Sequence, residues 1–205
     1  MVKKISESIE EFRQHYPRVA LLVTVQSNLP RAVAVVTAQA KGRENAMAVS
    51  LHMPVSYAPP IYAVAISPNR FTYRLIADSQ EFGVNFLPFE LADLVASIGG
   101  SLGTKIDKFQ KFNIARDKPV RTAVPILKAT YAAYECRLVN DSGYGDHRLL
   151  IGKIEAVHLQ EGIFTSEGVL DLDKVNPGLY LGNDLYLTAL KDSLRNLDRK
   201  VYGKR

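Results

Sequence analysis

The chain has one cysteine in 205 residues, no tryptophan, and no more than 13 glycines and 10 prolines. A lone thiol, Cys136, forms no intramolecular disulfide and lacks the second sulfur that a thiolate metal cluster needs. Its place in an apolar strand run also argues against a reactive nucleophile, because buried thiols are inert. The modest glycine and proline content excludes collagen-like and low-complexity chains. Apolar runs such as IYAVAI (61–66) fall far short of the ~18 residues that span a bilayer. The opening MVKKISESIEEF turns acidic after two lysines, so no signal-peptide core follows them. Walker, GxSxG, HExxH and GxGxxG patterns are all missing. The four histidines, at 15, 52, 147 and 158, include no pair at helical ligand spacing, so no protein-built metal centre is expected.

What is present is a composition of 47% hydrophobic and 23% charged residues, that of an ordinary folded domain. These features set the expectation of a cytoplasmic globular protein of one domain, 1–205, with no membrane partner. The net charge of +5 is unevenly spread. Residues 191–205 carry six Lys/Arg against two Asp, which leaves +1 for the other 190. A solvated basic tail accounts for that better than a nucleic-acid surface, and no nucleic acid is expected as partner.

Periodicity predicts a short N-terminal helix through Ile5, Ile9 and Phe12, with Ser8 and Glu11 as a capping box and Pro17 as its stop. Strands are predicted at 20–25, 31–38, 46–56, 58–67, 81–87, 129–139 and 149–159. Helices are predicted at 72–77, at 89–100 with a left-handed glycine end, and from about Asp184 onward. Residues 101–118 read as a loop with a helical turn. Clustered strands with short connections favour a mainly β fold with peripheral helices, closed as an antiparallel barrel so that no strand edge is left open.

The stretch ISPNRFT (66–72) has a chemical reading of its own. A strand ends at Ser67, Pro68 and Asn69 turn the chain, and a helix opens beside Arg70. Helix-start amides, hydroxyl donors and a guanidinium together suit a phosphate.

With NAMAVSLHMPVSYAPPIYAVAISPNRFTY, EFGVNFL, DKF (107–109), GDHRLLIGKIEAVH (145–158) and GLYLG (178–182), the chain resembles the flavin reductase-like family of FMN-binding split-barrel proteins. That resemblance implies an antiparallel, Greek-key type split β-barrel. It also implies FMN as cofactor, NAD(P)H as electron donor to an unidentified acceptor, and a homodimer whose two chains enclose each flavin. Asn45, Ala46, Met47, Ala48, Val49, Ser50 and Leu51 match the segment along the isoalloxazine and ribityl chain. Met53 and Val55, with Pro54 and Ser56, match the following loop at the ring edge. Ser67, Arg70 and Thr72 match the phosphate turn, where Asn69 replaces a frequent second arginine. Asn85 matches a position beside the flavin, and His147 one facing its reactive side, as the catalytic candidate. Lys105 and the DKF segment match the border of the nicotinamide approach. Tyr62, Tyr131 and Tyr134 read as core or interface. Two functions fit this resemblance: a hydride-transferring oxidoreductase, or a non-catalytic flavoredoxin-like electron carrier.

Overall fold

The computed structural model describes residues 29–197 together with Ser8, Glu10, Glu11, Gln14, Val201 and Gly203. The predicted strand 20–25 and residues 198–200, 202, 204 and 205 of the basic C-terminal tail lie outside these residues. The capping box is present: the Ser8 amide donates to the Glu11 carboxylate at 2.8 Å and the Glu11 amide to Ser8 Oγ at 3.2 Å.

The main sheet has seven antiparallel strands in the order β3-β2-β6-β9-β10-β5-β4. These are β2 (Ala34–Ala40), β3 (Arg43–Val49), β4 (His52–Tyr57), β5 (Pro60–Ile66), β6 (Glu81–Phe86), β9 (Ala132–Tyr144) and β10 (His147–Leu159). A satellite sheet joins β1 (Arg31–Ala32) to β11 (Gly178–Gly182) and β12 (Leu185–Thr188). A two-stranded ribbon pairs β7 (Arg116–Asp117) with β8 (Ile126–Leu127). Three helices flank the sheets: α1 (Phe71–Ser79), α2 (Ala92–Gly100) and the single turn α3 (Lys108–Lys111). None of the described helices is long and apolar enough to cross a membrane.

The β2–β3 hairpin turns at Lys41 and Gly42, whose φ values of 51° and 72° are those of the mirror-image turn that matches strand twist. Along β2, successive residues bury into opposite cores. Val36 packs with Val64, Ile66, Ile76, Phe82 and Leu150, whereas Val35 packs with Ala46, Val95, Ile98 and Phe109. This explains why the run is apolar at every position: α1 covers one face, and α2 with α3 the other.

Four expectations are corrected. The sheet is not closed by hydrogen bonds; among the described residues β3 and β4 remain its two edges. Pro54 and a bulge between Pro54 and Ser56 blunt the β4 edge instead. The segment from Asp184 begins with strand β12, not a helix, because it pairs with β11 and stacks Tyr186 on Tyr180 at 5.2 Å. Gly99 and Gly100 end α2 inside the helix, and the cap, Ser101, is extended. Gly99 serves close approach to Ala48, where an added Cβ would sit 3.3 Å from the alanine methyl. Finally, the strands predicted at 129–139 and 149–159 extend into the residues left between them as a connection, NDSGYGDH (140–147), and the β9–β10 turn is confined to Gly145 and Asp146.

Candidate functional site

A row of connected cavities follows β3, from the start of α1 to the β3–β4 corner. At one end lies a cavity of about 120 Å³ between the start of α1 and the loop 101–104, into which Arg70, Thr72 and Lys108 face. It shares Ala48 and Gly99 with a second cavity of about 230 Å³ that reaches Ser50, Tyr180 and Tyr186. Ser50 in turn borders a third cavity, about 270 Å³, walled mainly by Leu51, Met53, Ala63, Ala65 and Leu149. The row is cationic at one end and apolar at the other.

The cationic end is built from the chain's irregular joints. The Arg70 amide donates to the Ser67 carbonyl at 3.0 Å, closing the turn that Pro68 and Asn69 begin. Arg70 is then the cap residue of α1, which has no side-chain cap and no acidic residue in its first turn. Its leading amides are therefore free to meet an anion. Buried Asn45 donates from Nδ2 to Thr72 Oγ1 at 2.8 Å, so the threonine keeps its own proton for a further acceptor. Gly103 passes so close that a Cβ there would fall 2.2 Å from Asn45 Oδ1. Only glycine lets the loop close over this pair.

Lys108 is the member that sequence reading assigned elsewhere. It is 4% exposed, and its ammonium donates to the carbonyls of Ala46 at 2.8 Å and Ile98 at 2.6 Å. Burial, reinforced by the positive charge of Arg70, lowers its pKa to about 8. No carboxylate lines the cavity these two cations share. A buried ammonium with a guanidinium beside it and no acidic partner suits a phosphate, which would stabilise its charged form. The signal was the DKF motif, but sequence spacing alone could not show that α3 folds back under β3.

At the apolar end His52 is held on both sides. Its Nε2 faces the Ala32 carbonyl at 2.9 Å, which can only accept, so Nε2 carries the proton and Nδ1 accepts from the Tyr62 hydroxyl at 2.7 Å. Burial lowers its pKa and keeps the ring neutral. It stacks on Tyr62 and meets Phe86 edge-on, with Tyr134 beside them, so Tyr62 and Tyr134 belong to an aromatic cluster under the groove.

Of the residues proposed from sequence, Asn45, Met47, Ala48, Arg70 and Thr72 line the cationic cavity, Val49 the middle one, and Ser50 both the middle and the apolar ones. Leu51 and Met53 wall the apolar end. Ser67 contributes its carbonyl to the turn, and Ala46 accepts from Lys108 while its side chain sits in the core. Val55 is exposed on the β4 edge. Asn85 and His147 also line none of these cavities. Asn85 is fully buried and committed elsewhere: Nδ2 donates to the Val35 carbonyl and Thr37 Oγ1, and Oδ1 accepts from the Leu127 amide. It clamps β2 to β6 and β8. His147 stands at the tip of the β9–β10 hairpin, bonded through Nδ1 to Asp146, and lines none of these cavities. Cys136 is buried, and burial raises its thiol pKa, as an inert thiol requires.

A family model for the flavin reductase like domain matches residues 26–184. The chain belongs to the flavin reductase-like family. Over 157 residues it is 34% identical to an uncharacterised protein of Aeropyrum pernix, a match covering 75% of this chain and 58% of that one, less than two thirds of the relative's length. Among solved structures, an FMN-binding protein from Thermus thermophilus, with bound 1-cyclohex-2-enone, superposes with a TM-score of 0.78 at 29% identity. That match covers 96% of this chain and 100% of the other. A split barrel domain protein from Shewanella frigidimarina gives 0.80 at 17% identity over 97% and 99% of the two chains, a likeness of fold alone. This flavin reductase-like chain thus has the split-barrel fold, with a sheet that hydrogen bonds do not close among the described residues.

Proposed function

We propose that the protein is an FMN-binding oxidoreductase of the flavin reductase type, passing hydride from NAD(P)H to its flavin and on to an acceptor. One observation carries the reading: the groove along β3 changes from a cationic pocket without carboxylates at Arg70 and Lys108 to an apolar pocket at Leu51, Met53 and Leu149. A flavin mononucleotide has the same polarity along its length, phosphate to ring. Arg70, Lys108, the Thr72 hydroxyl and the leading amides of α1 would hold the phosphate. The small residues Ala48, Ser50 and Gly99 would let the backbone approach the middle of the ligand, and Leu51 with Met53 would keep water from its far end. When bound, the flavin supplies the two-electron redox chemistry, so the protein's task is position and electrostatics. His52, neutral and bonded at both nitrogens, holds the wall of the apolar end rather than moving a proton. The visible spectrum of the purified protein tests the reading: bands near ~370 and ~450 nm, or quenching of added FMN fluorescence, are expected for bound flavin. A colourless protein that leaves FMN fluorescence unchanged would overturn it.

We infer further that two chains pair along the β4 edge. Leu51, Met53, Val55 and Tyr57 are 41%, 55%, 51% and 93% exposed, an apolar stripe continuous with the apolar end of the groove. A stripe of that kind supports an interface that completes the site with residues of the second copy.

A further inference from the structure

Away from the groove, a cavity of about 560 Å³ opens where the β7–β8 ribbon meets the end of β10. Small-ligand sites span roughly 300–1,000 Å³, so it is large enough to hold one. It shares no lining residue with the cavities of the groove, and nothing in it depends on a bound flavin.

His158 gives this cavity a directed imidazole. Its Nε2 lies 2.7 Å from Oε1 of Glu135, a fully buried carboxylate already fixed by the amides of Val120, Arg121 and Thr122. An ionised carboxylate only accepts, so Nε2 carries the proton and the neutral ring keeps a lone pair on Nδ1. Among the described residues nothing else bonds to His158, and its Nδ1 is not buried. The side chain is 20% exposed and lines the cavity. A carboxylate behind an imidazole holds the ring in one orientation and leaves the other nitrogen as an acceptor.

Two opposite charges share the lining. Asp117 pairs with Ile126 in the ribbon, so Lys128 is its diagonal neighbour. Diagonal positions of an antiparallel pair lie roughly 7–8 Å apart, which leaves room for a small ligand between the side chains. Among the described residues neither Asp117 nor Lys128 makes an ion pair, with the other or with a third residue. Val157 and Leu159, 52% and 53% exposed, add aliphatic surface.

We infer that this cavity binds a small zwitterion, an α-amino acid with an aliphatic side chain. Asp117 and His158 Nδ1 accept from the ammonium, Lys128 donates to the carboxylate, and Val157 with Leu159 meets the side chain. A simple anion would face the Asp117 carboxylate, and a simple amine would face the Lys128 ammonium. Only a ligand with both charges satisfies both residues.

The test is calorimetric titration of the full chain with L-leucine and with two analogues that each lack one charge, isocaproate and isopentylamine. Leucine should saturate, and each analogue should bind at least tenfold more weakly, about the worth of one charged hydrogen bond. Asp117→Asn and Lys128→Met, both at exposed positions of the ribbon, should each weaken leucine by a similar factor. In side-chain NMR the Nδ1 resonance of His158 should shift as leucine is added. Absence of leucine binding at millimolar concentration overturns the inference, and so does an unmoved His158 resonance. Isocaproate or isopentylamine binding as tightly as leucine overturns the zwitterion. Leucine binding that either substitution leaves unaltered places the ligand elsewhere and overturns the site.

Discussion

Arg70 and Lys108 divide one task between a rigid fork and a buried point charge. Because the Arg70 guanidinium is exposed, its loss should remove a charge-assisted contact and little else. Arg70→Ala is expected to weaken FMN by about 1.5–3 kcal/mol in fluorescence titration, with riboflavin nearly unaffected because it lacks the phosphate. Lys108 adds a pH dependence. Its folded pKa of about 8 lies below the ordinary lysine value, so between about 8 and about 10.5 the unfolded chain holds more protons than the folded one. The unliganded protein should therefore gain stability from this group as pH rises through that window. FMN affinity should move the opposite way, falling by up to about tenfold per pH unit above 8 as the ammonium discharges. Titrations across pH 7–10 check this, and Lys108→Met should flatten the profile.

Among the elements, the loop before β8 depends on one carboxylate. Glu135 on β9 is fully buried and accepts from the amides of Val120, Arg121 and Thr122, from Thr122 Oγ1, and from His158 Nε2 at 2.6–2.9 Å. Burial alone would raise its pKa, but these donors outweigh it, led by the Val120 amide, and bring it down to about 2. The resulting stability is present above the unfolded value near 4.5 and is lost as pH falls from there toward 2. Glu135→Gln should cost about 1.5–3 kcal/mol in urea unfolding at pH 7 and less at pH 3, since it leaves amide donors facing an NH₂ group. At the other end of the molecule, Gly103→Ala tests how loop 101–104 shapes the phosphate pocket. A methyl there displaces Asn45 from Thr72, and FMN binding should weaken while the unfolding transition moves little.

At the scale of the whole molecule, the sheet is buried on both faces at β2 by the chain's own helices, so apolar strand runs there need no partner. The case for pairing rests instead on the β4 edge. Sedimentation at low micromolar concentration should give a species near twice 22.8 kDa, and Val55→Asp should shift it to the single-chain mass with loss of flavin affinity. A wild-type protein that sediments as a single chain and still binds FMN would exclude the shared site.

Local chemistry made much of this legible from residue order alone. The Ser8–Glu11 capping box, the turn at Pro68 and Asn69, the strand at Glu81–Phe86, the 149–159 part of His147–Leu159 and the burial of Cys136 all rest on neighbours in the chain. So did the Arg70–Thr72 corner, where turn and helix start are contiguous. Residues whose roles depend on distant partners were not legible. Asn85 matches a flavin-side position, yet pairing with β2 turns its amide inward to Val35 and Leu127. Lys108 belongs to the groove because α3 packs beneath β3, 62 residues away from its Ala46 acceptor. Leu185–Thr188 became a strand rather than a helix because β11 offered an unpaired edge. Side-chain type and spacing specify turns, caps and which faces are apolar, since those energies are local. Which buried amide meets a ligand, and which meets another strand, is settled only when strands remote in sequence are brought into register, because a strand's register decides which way every side chain on it faces.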